Sequence, residues 1–231
     1  MKNILITGAN RGIGFEFVKQ LTAEEHHIIA TCREPSTAGE LNAWCQKHPQ
    51  VTVHQLDVTN DESIQALASE LAGQPIDWLI NNAGISGNSG VTVGNIERDN
   101  FLNVFDTNCL SPLKVSELFL PQLNLSTEKL IICVSSRMGS ISDNQRGKSY
   151  AYRSSKAALN CAMHSFAIDV ADLGIQVLLL HPGWVQTNMG GNDAELTTEE
   201  SVERMLGVIE KNKTNNHADA LLSHNGEVIE W

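Results

Sequence analysis

A tyrosine and a lysine four residues apart, Tyr152 and Lys156, are the pair in this sequence best suited to proton transfer. Residues at positions i and i+4 of a helix share one face, so the lysine ammonium would lie beside the phenol. A neighbouring cation favours the phenolate and lowers the pKa of a tyrosine, which is about 10 when unperturbed. We therefore predict that Tyr152 is a general acid that donates a proton to a carbonyl oxygen.

Two neighbouring features leave alternatives to this prediction. Tyr150 is a second phenol, but Ser154 stands four residues after it where a lysine is needed, which favours Tyr152. Ser135 and Ser136 follow an apolar segment, and either hydroxyl could polarise a carbonyl oxygen or simply end a strand.

The segment from Thr7 to Gly14 is rich in glycine and stands between a strand-like run and an amphipathic stretch. Glycines permit a tight turn and a close approach to phosphate, and the following helix N-terminus offers free N–H groups. A dinucleotide is the predicted ligand, although a strand-to-helix turn without a ligand would show the same spacing. The residues predicted to contact it are Gly8, Asn10, Arg11, Gly12, Ile13 and Gly14.

The end of the second predicted strand bears on the choice between NADPH and NADH. Arg33 stands where an NAD enzyme would place an acidic residue on the ribose, and with Arg11 it could pair with a 2′-phosphate. NADP(H) is therefore favoured, while a solvated arginine at a strand exit is the alternative. Asp57 ends the third predicted strand, where it could accept from an adenine amino group or cap the next helix.

Short apolar runs alternate with stretches of helical periodicity, namely 13–25, 62–71, 151–173 and 198–211. Several runs are continuously apolar, as strands covered on both faces by helices require. This pattern predicts an α/β fold, a doubly wound three-layer sandwich around a seven-stranded parallel sheet, in one domain spanning residues 1–231. The predicted strands are 3–7, 27–32, 51–56, 77–80, 129–134, 175–180 and 220–223.

The composition of the chain argues against several classes of binding partner. A net charge of -11 over 231 residues argues against nucleic acid or an anionic membrane surface. No export signal or membrane-spanning run is visible, so a cytoplasmic protein is expected. The five cysteines have no Cys-x-x-Cys pair and no histidine at metal spacing, which indicates free thiols and no metal.

Seven motifs in order resemble the short-chain dehydrogenase/reductase family over essentially the whole chain. The resemblance implies a Rossmann fold, and the closing segment from Asn225 to Trp231 is similar to the sniffer and C-factor-like carbonyl reductases. The motifs are Thr7-Gly-x-x-x-Gly-x-Gly14, Asp57-Val58, Asn81-Asn-Ala-Gly84, Asn108, Ser135-Ser136, Tyr152-x-x-x-Lys156 and Pro182-Gly183 with Thr187.

The resemblance also implies residue roles. Ser136, the second serine, would hydrogen-bond the substrate carbonyl oxygen, Lys156 would hold the nicotinamide ribose, and Asn108 would anchor a water chain that resupplies the proton to Tyr152. The other residues implied to contact the cofactor are Asp57, Val58, Asn82, Ala83, Gly84, Pro182, Gly183, Val185 and Thr187.

These observations predict an NADPH-dependent reductase of aldehydes or ketones. The alternative is an NADP(H)-binding signalling or sensor protein of the C-factor type with incidental catalysis. The partner is expected to be a small carbonyl or alcohol substrate. The loops 85–95, 140–149 and 189–197 are expected to wall the site, with specificity in 85–94, 143–148 and 188–197. A homodimer or homotetramer is expected through helices near 100–120 and 151–173, which the family often uses.

Overall fold

One sheet lies at the centre of this computed structural model, which describes residues 1–214 and 218–231 and shows eight strands there in the order β3-β2-β1-β4-β5-β6-β7-β8. The first seven strands run parallel, as predicted. Their bounds are β1 Asn3–Ile6, β2 His27–Cys32, β3 Val51–Gln55, β4 Trp78–Asn81, β5 Leu130–Val134, β6 Gln176–His181 and β7 Leu221–Ser223.

The sheet differs from the predicted seven parallel strands by one added strand. β8, Val228–Ile229, pairs antiparallel with β7 after a tight turn in which the Ser223 N–H donates to the Glu227 carbonyl. Its two residues are too few for an alternation of apolar and polar side chains to be read from the sequence.

Helices cover both faces of the sheet. One core layer includes Ile4, Ile80 and Leu180, and the other includes Leu5, Leu79 and Leu179, so successive residues of each strand enter opposite layers. The helices are α1 Gly12–Ala23, α2 Gly39–Cys45, α3 Asp61–Glu70, α4 Arg98–Phe105, α5 Ser111–Leu118, α6 Leu120–Asn124, α7 Tyr150–Asp169 and α8 Thr198–Asn212.

Two features of this architecture place the site. The chain order reverses between β1 and β4, and open parallel sheets bind ligands beyond the carboxyl ends of their strands at such a reversal. Between α4 and α5, the segment Asp106–Leu110 is a π-helix, an irregularity that the sequence did not predict and that is frequent at functional sites. It carries Asn108.

The described residues also bear on the expectations about membrane spans, cysteines and metal sites. No helix within the described ranges is long and apolar enough to cross a membrane. The five cysteines are free thiols, as predicted. Over the same ranges, no group of three or more His, Cys, Asp or Glu residues is arranged to hold a metal ion.

Candidate active site

The glycine-rich loop between β1 and α1 has the backbone geometry that its sequence predicts. Gly8 and Gly12 have φ angles of 64° and 55°, in the left-handed region that favours glycine. A Cβ at Gly8 would lie 3.0 Å from the Ala83 Cα, and a Cβ at Gly14 would overlap the Gly8 carbonyl. The loop therefore packs directly on the segment that follows β4.

Side chains of Thr7 and Asn82 hold this loop in place. The Thr7 hydroxyl oxygen accepts from the backbone N–H groups of Asn82 and Ala83, both at 3.0 Å. The Asn82 side-chain amide donates to the Thr7 carbonyl at 2.9 Å and to the Gly8 carbonyl at 3.1 Å. Asn82 and Ala83 thus shape the floor of the loop that was predicted to bind a cofactor.

The N-terminus of α1 is available to an anion. Arg11 stands at the capping position, its side chain makes no capping hydrogen bond, and the first turn contains no acidic residue. Free N–H groups and the helix dipole there favour a phosphate. Asn10 and Ile13 are partly buried on either side, and Ile13 packs against the core.

Arg11 and Arg33 both lie on the surface at this edge of the sheet. A backbone hydrogen bond of 2.8 Å from Ala9 to Thr31 joins the glycine loop to the end of β2, so the two arginines follow neighbouring strands. Both are exposed, and neither forms an ion pair with any residue in 1–214 or 218–231. Each guanidinium is free to bind a phosphate.

Asp57 is not the cap of α3, which was one of its two interpretations. Asn60 caps that helix by accepting from the Ser63 N–H, because Asn60 is the residue immediately before its first turn. One oxygen of Asp57 accepts from the backbone and hydroxyl of Thr59, at 3.0 and 2.8 Å. The neighbouring Val58 packs against the core layer that contains α3.

Ser136 and Tyr152 meet at the carboxyl end of β5. The two hydroxyls lie close together, where that of Ser136 favours the Tyr152 phenolate, and the Ser136 oxygen accepts from the Met138 N–H at 3.1 Å. Ser135 instead donates to the Asn160 side chain at 2.6 Å inside the core. Ser135 is thus engaged inside the core, and the choice of Ser136 stays a prediction.

The pKa of Tyr152 departs from its expected direction. It is raised above 10, because burial disfavours the phenolate more than the nearby Ser136 hydroxyl favours it. Lys156 is not among the groups that shift it, and its ammonium lies 6.0 Å from the centre of the tyrosine ring. A protonated phenol still suits proton donation. What differs from the prediction is the cause, because burial and not Lys156 sets the pKa of Tyr152.

Lys156 is buried and directed at the backbone. Its Nζ donates to the Val134 carbonyl at 2.8 Å, and burial lowers its pKa from 10.5 to about 8. Gly84 lies alongside, because a Cβ there would be 3.8 Å from the Lys156 Nζ and 3.2 Å from the Asn108 Oδ1. The ammonium is thus the predominant form at neutral pH.

Because Lys156 is buried, we expect the stability difference between the wild type and Lys156→Met to depend on pH. Between about pH 8 and the ordinary value of 10.5, the unfolded chain binds more protons at Lys156 than the folded chain does, so this residue's contribution to stability rises with pH. Urea unfolding of wild type and Lys156→Met should show the wild type gaining about 1 kcal/mol relative to the variant between about pH 7 and about pH 9.

The comparison with the variant is necessary because two thiols act in the opposite sense. Burial raises the pKa of Cys109 to about 11 and that of Cys133 to about 12, so each lowers stability as pH rises above about 9. Both proteins contain these thiols, so the comparison removes most of their contribution, although Lys156 itself acts on both of them. A wild-type advantage that shrinks over this pH range would contradict the assigned burial of the ammonium.

Asn108 links the segment after β4 to α7. Its side chain accepts from the Ile85 N–H and donates to the Ile85 carbonyl, both at 2.8 Å, and donates to the Ser155 hydroxyl at 3.0 Å. Ser155 in turn donates to the Tyr152 carbonyl at 2.8 Å. The side chain is therefore occupied in positioning, and the water chain through Asn108 stays a prediction.

Ser155 is a residue of this site that the sequence interpretation missed. It is fully buried and connects Asn108 to the turn of helix that carries Tyr152. A serine next to Lys156 gives no signal by itself, because serine is common on helix surfaces and only its position between two buried groups reveals the contact.

Replacing Asn108 with alanine should cost both stability and activity. The change leaves the two Ile85 backbone groups and the Ser155 hydroxyl without their partner, at about 1 to 3 kcal/mol for each buried group left unsatisfied. The matched control is Asn81→Ala, which removes a buried asparagine whose side chain donates to the Ser116 hydroxyl at 3.0 Å and to the Cys133 thiol.

Thermal unfolding and turnover per folded molecule separate the two effects. Both variants should lose stability, and only Asn108→Ala should lose turnover once the folded fraction is corrected for. Equal turnover in the two corrected samples would show that Asn108 does not position the site.

The segment after β6 closes the site opposite the glycine loop. Gly183 has a φ of 87°, and the Pro182 carbonyl accepts from the Ser201 hydroxyl at 2.7 Å. Val185 is buried and pairs with Leu196. A Cβ at Gly12 would lie 3.4 Å from the Thr187 Cγ2, so Thr187 faces the loop between β1 and α1.

These contacts define an open α/β sheet with a serine, a tyrosine and a lysine beside a glycine-rich loop. The family model described as short chain dehydrogenase matches residues 2–198, and the chain belongs to this family. The fold and the family recognition made from the sequence are thereby confirmed.

Three known proteins show how similar the relatives are. A carbonyl reductase from chicken fatty liver, solved with NADPH bound, has a TM-score of 0.93 and 37% identity, covering 100% of this chain and 99% of that chain. The carbonyl reductase Sniffer of D. melanogaster has a TM-score of 0.92 and 32% identity, with both chains fully covered. The C-signal protein of Myxococcus xanthus is 40% identical over 168 residues, which is 73% of this chain and 100% of that protein.

Proposed function

We propose that this protein reduces an aldehyde or ketone with NADPH, and that Tyr152 donates the proton. The observation that carries the proposal is the proximity of the Ser136 and Tyr152 hydroxyls at the sheet edge that also presents the glycine-rich loop. Two hydroxyls that already meet can bind one carbonyl oxygen together. Bound NADPH would supply the hydride.

The side chains divide the remaining work. Ser136 donates a hydrogen bond to the carbonyl oxygen and stabilises negative charge as it develops there. Tyr152, whose raised pKa keeps the phenol protonated at neutral pH, transfers its proton to the same oxygen. The buried Lys156 ammonium, which lies beside Gly84, would hold the ribose hydroxyls of the cofactor.

The glycine-rich loop and its neighbours suit a dinucleotide phosphate. The pyrophosphate would meet the uncapped N-terminus of α1, while Arg11 and Arg33 would hold a 2′-phosphate. The free oxygen of Asp57 would accept from the adenine, and the segments 82–84 and 182–187 would hold the ribose and the nicotinamide. NADPH in the similar chicken reductase supports the same cofactor here.

A signalling role is the second candidate, and the 40% identity to the C-signal protein favours it. In that role cofactor binding would matter and turnover would be incidental. The two candidates differ in one respect, because only the enzyme requires the Tyr152 hydroxyl for its biological effect.

We also propose a cytoplasmic homodimer or homotetramer. Apolar side chains are exposed on the two helical segments expected to mediate it, namely Leu102, Phe105 and Leu110 on one and Ile168 on the other. Burying such side chains against a second copy would remove them from water. Light scattering would give the mass, and a monomer at micromolar concentration would contradict the assembly.

A panel of aldehydes and ketones incubated with NADPH, with NADH in parallel, tests the proposed activity. We expect NADPH oxidation that depends on the carbonyl compound, with an equal amount of alcohol formed. Binding of NADPH without turnover of any compound would favour the signalling candidate.

A further inference from the structure

The loop that follows Ser136 is locally basic in an acidic protein. Residues 137–153 contain Arg137, Arg146, Lys148 and Arg153 against a single carboxylate, Asp143, whereas the whole chain carries a net charge of -11. The other two loops beyond the strand ends differ from it. The loop 85–95 has no charged residue, and the loop 189–197 has two carboxylates.

Arg137 is the first cation of this loop. It follows Ser136 directly and begins the short 3₁₀ turn Arg137–Gly139. Its side chain is 47% exposed, and its ion pair with Asp143 is long, at 3.9 Å. Exposed pairs of this kind are weak, so Asp143 does not engage the guanidinium strongly.

Two histidines lie at the ends of β6 and β7. Burial lowers the pKa of His181 to about 3 and also lowers that of His224; the Arg137 charge adds to the effect on His181, and Arg204 and Arg137 add to the effect on His224. A Cβ at Gly183 would lie 2.9 Å from the His224 Cδ2, so these groups border the turn at Pro182 and Gly183. Arg137, which follows Ser136 in the chain, therefore acts electrostatically on groups that border the β6 loop.

The surroundings favour an anion at this position. Both imidazoles are neutral at physiological pH, and hence neither adds positive charge nor neutralises the guanidinium. Glu195, Glu227 and Arg204 also act on His224, yet Asp143 is the carboxylate that pairs with Arg137 among the described residues. Arg137 also makes no side-chain hydrogen bond within those ranges, which leaves its five N–H donors available.

We propose that Arg137 binds an anionic group, a carboxylate or a phosphate, on the carbonyl substrate, an inference that rests on the reductase function proposed above. The guanidinium fork matches either group in a bidentate geometry. Ile141 and Trp184, which are 78% and 51% exposed on the two adjoining loops, provide apolar surface for the rest of the molecule. The substrate class is an aldehyde or ketone with an apolar body and a negative charge.

The test compares para-carboxybenzaldehyde with its methyl ester, which share a ring and an aldehyde and differ in charge. The wild type should prefer the acid. In Arg137→Met the ratio of kcat/KM for acid over ester should fall about 10-fold or more through the KM of the acid, because a charge-assisted hydrogen bond is lost. Arg137→Lys should retain part of the preference, and Asp143→Asn should increase it.

Arg146→Met is the matched control, since Arg146 is an exposed arginine of the same loop. Its acid-to-ester ratio should equal that of the wild type. Para-formylphenyl phosphate serves as the phosphate probe. If the ratio of its kcat/KM to that of the ester also falls in Arg137→Met, the site accepts either anion.

The outcomes separate the two proposals. A wild type that reduces neither benzaldehyde derivative nor any other carbonyl compound contradicts the reductase function. A wild type that reduces both, with a ratio unchanged in Arg137→Met, overturns the anion site alone. Should Arg137→Met fail to fold, the acid KM of the wild type should still rise with salt while the ester KM does not, and a salt-independent acid KM would overturn the inference.

Discussion

Tyr152→Phe should lose carbonyl reduction while it keeps its affinity for NADPH. The change removes one hydroxyl that meets Ser136 and leaves the glycine-rich loop and the buried Lys156 in place. General acid catalysis contributes about 10²- to 10⁴-fold, so kcat should fall by that factor. Steady-state turnover and NADPH fluorescence titration measure the two quantities separately.

Tyr150→Phe is the control for this variant. Tyr150 begins α7 two residues earlier and has serine, not lysine, four residues later. Its replacement should leave kcat within about two-fold of the wild type, since Tyr150 is half-buried at the start of α7 and has no part in the proposed proton transfer. Equal turnover of Tyr152→Phe and the wild type would remove Tyr152 from the mechanism.

Arg33→Met should weaken NADPH and spare NADH. The exposed guanidinium pairs with no carboxylate in the part of the chain that the structure describes, so its proposed partner is the 2′-phosphate that NADH lacks. Loss of a charge-assisted hydrogen bond should raise the KM for NADPH about 10-fold or more. Kinetics with both cofactors give the ratio directly.

Arg98→Met removes an exposed arginine from the start of α4 and serves as its control. The ratio of the NADPH KM to the NADH KM should stay at the wild-type value in that variant. A wild type that prefers NADH, or an Arg33→Met variant with an unchanged ratio, would contradict the assignment of the 2′-phosphate.

The parallel strands and the glycine loop could be predicted because their burial and backbone geometry restrict the local sequence. β5 and β6 are buried on both faces and therefore read as continuous apolar runs, and the glycine loop requires left-handed φ angles at Gly8 and Gly12. β8 could not be predicted in this way. It is a two-residue strand, too short to show an apolar pattern of its own. Its position depends on pairing with β7.

The residues of the site could be predicted from the sequence, but their pKa values could not. The spacing of Tyr152 and Lys156 indicated a shared helix face, which the structure shows. Their pKa values depend on burial and on the Val134 carbonyl that accepts from Lys156, neither of which spacing reveals. The π-helix around Asn108 and the contact with Ser155 depend likewise on how α4, α5 and α7 pack.

Isotope transfer tests the central claim most directly, namely that this site reduces a carbonyl group. The protein is incubated with a carbonyl substrate and NADPH that carries deuterium at the transferred position, and the alcohol is examined by NMR. Our account predicts one deuterium on the carbinol carbon and a hydroxyl proton from solvent, with formation of this alcohol slowed in Tyr152→Phe. An alcohol without deuterium, or NADPH consumed without alcohol, would contradict it.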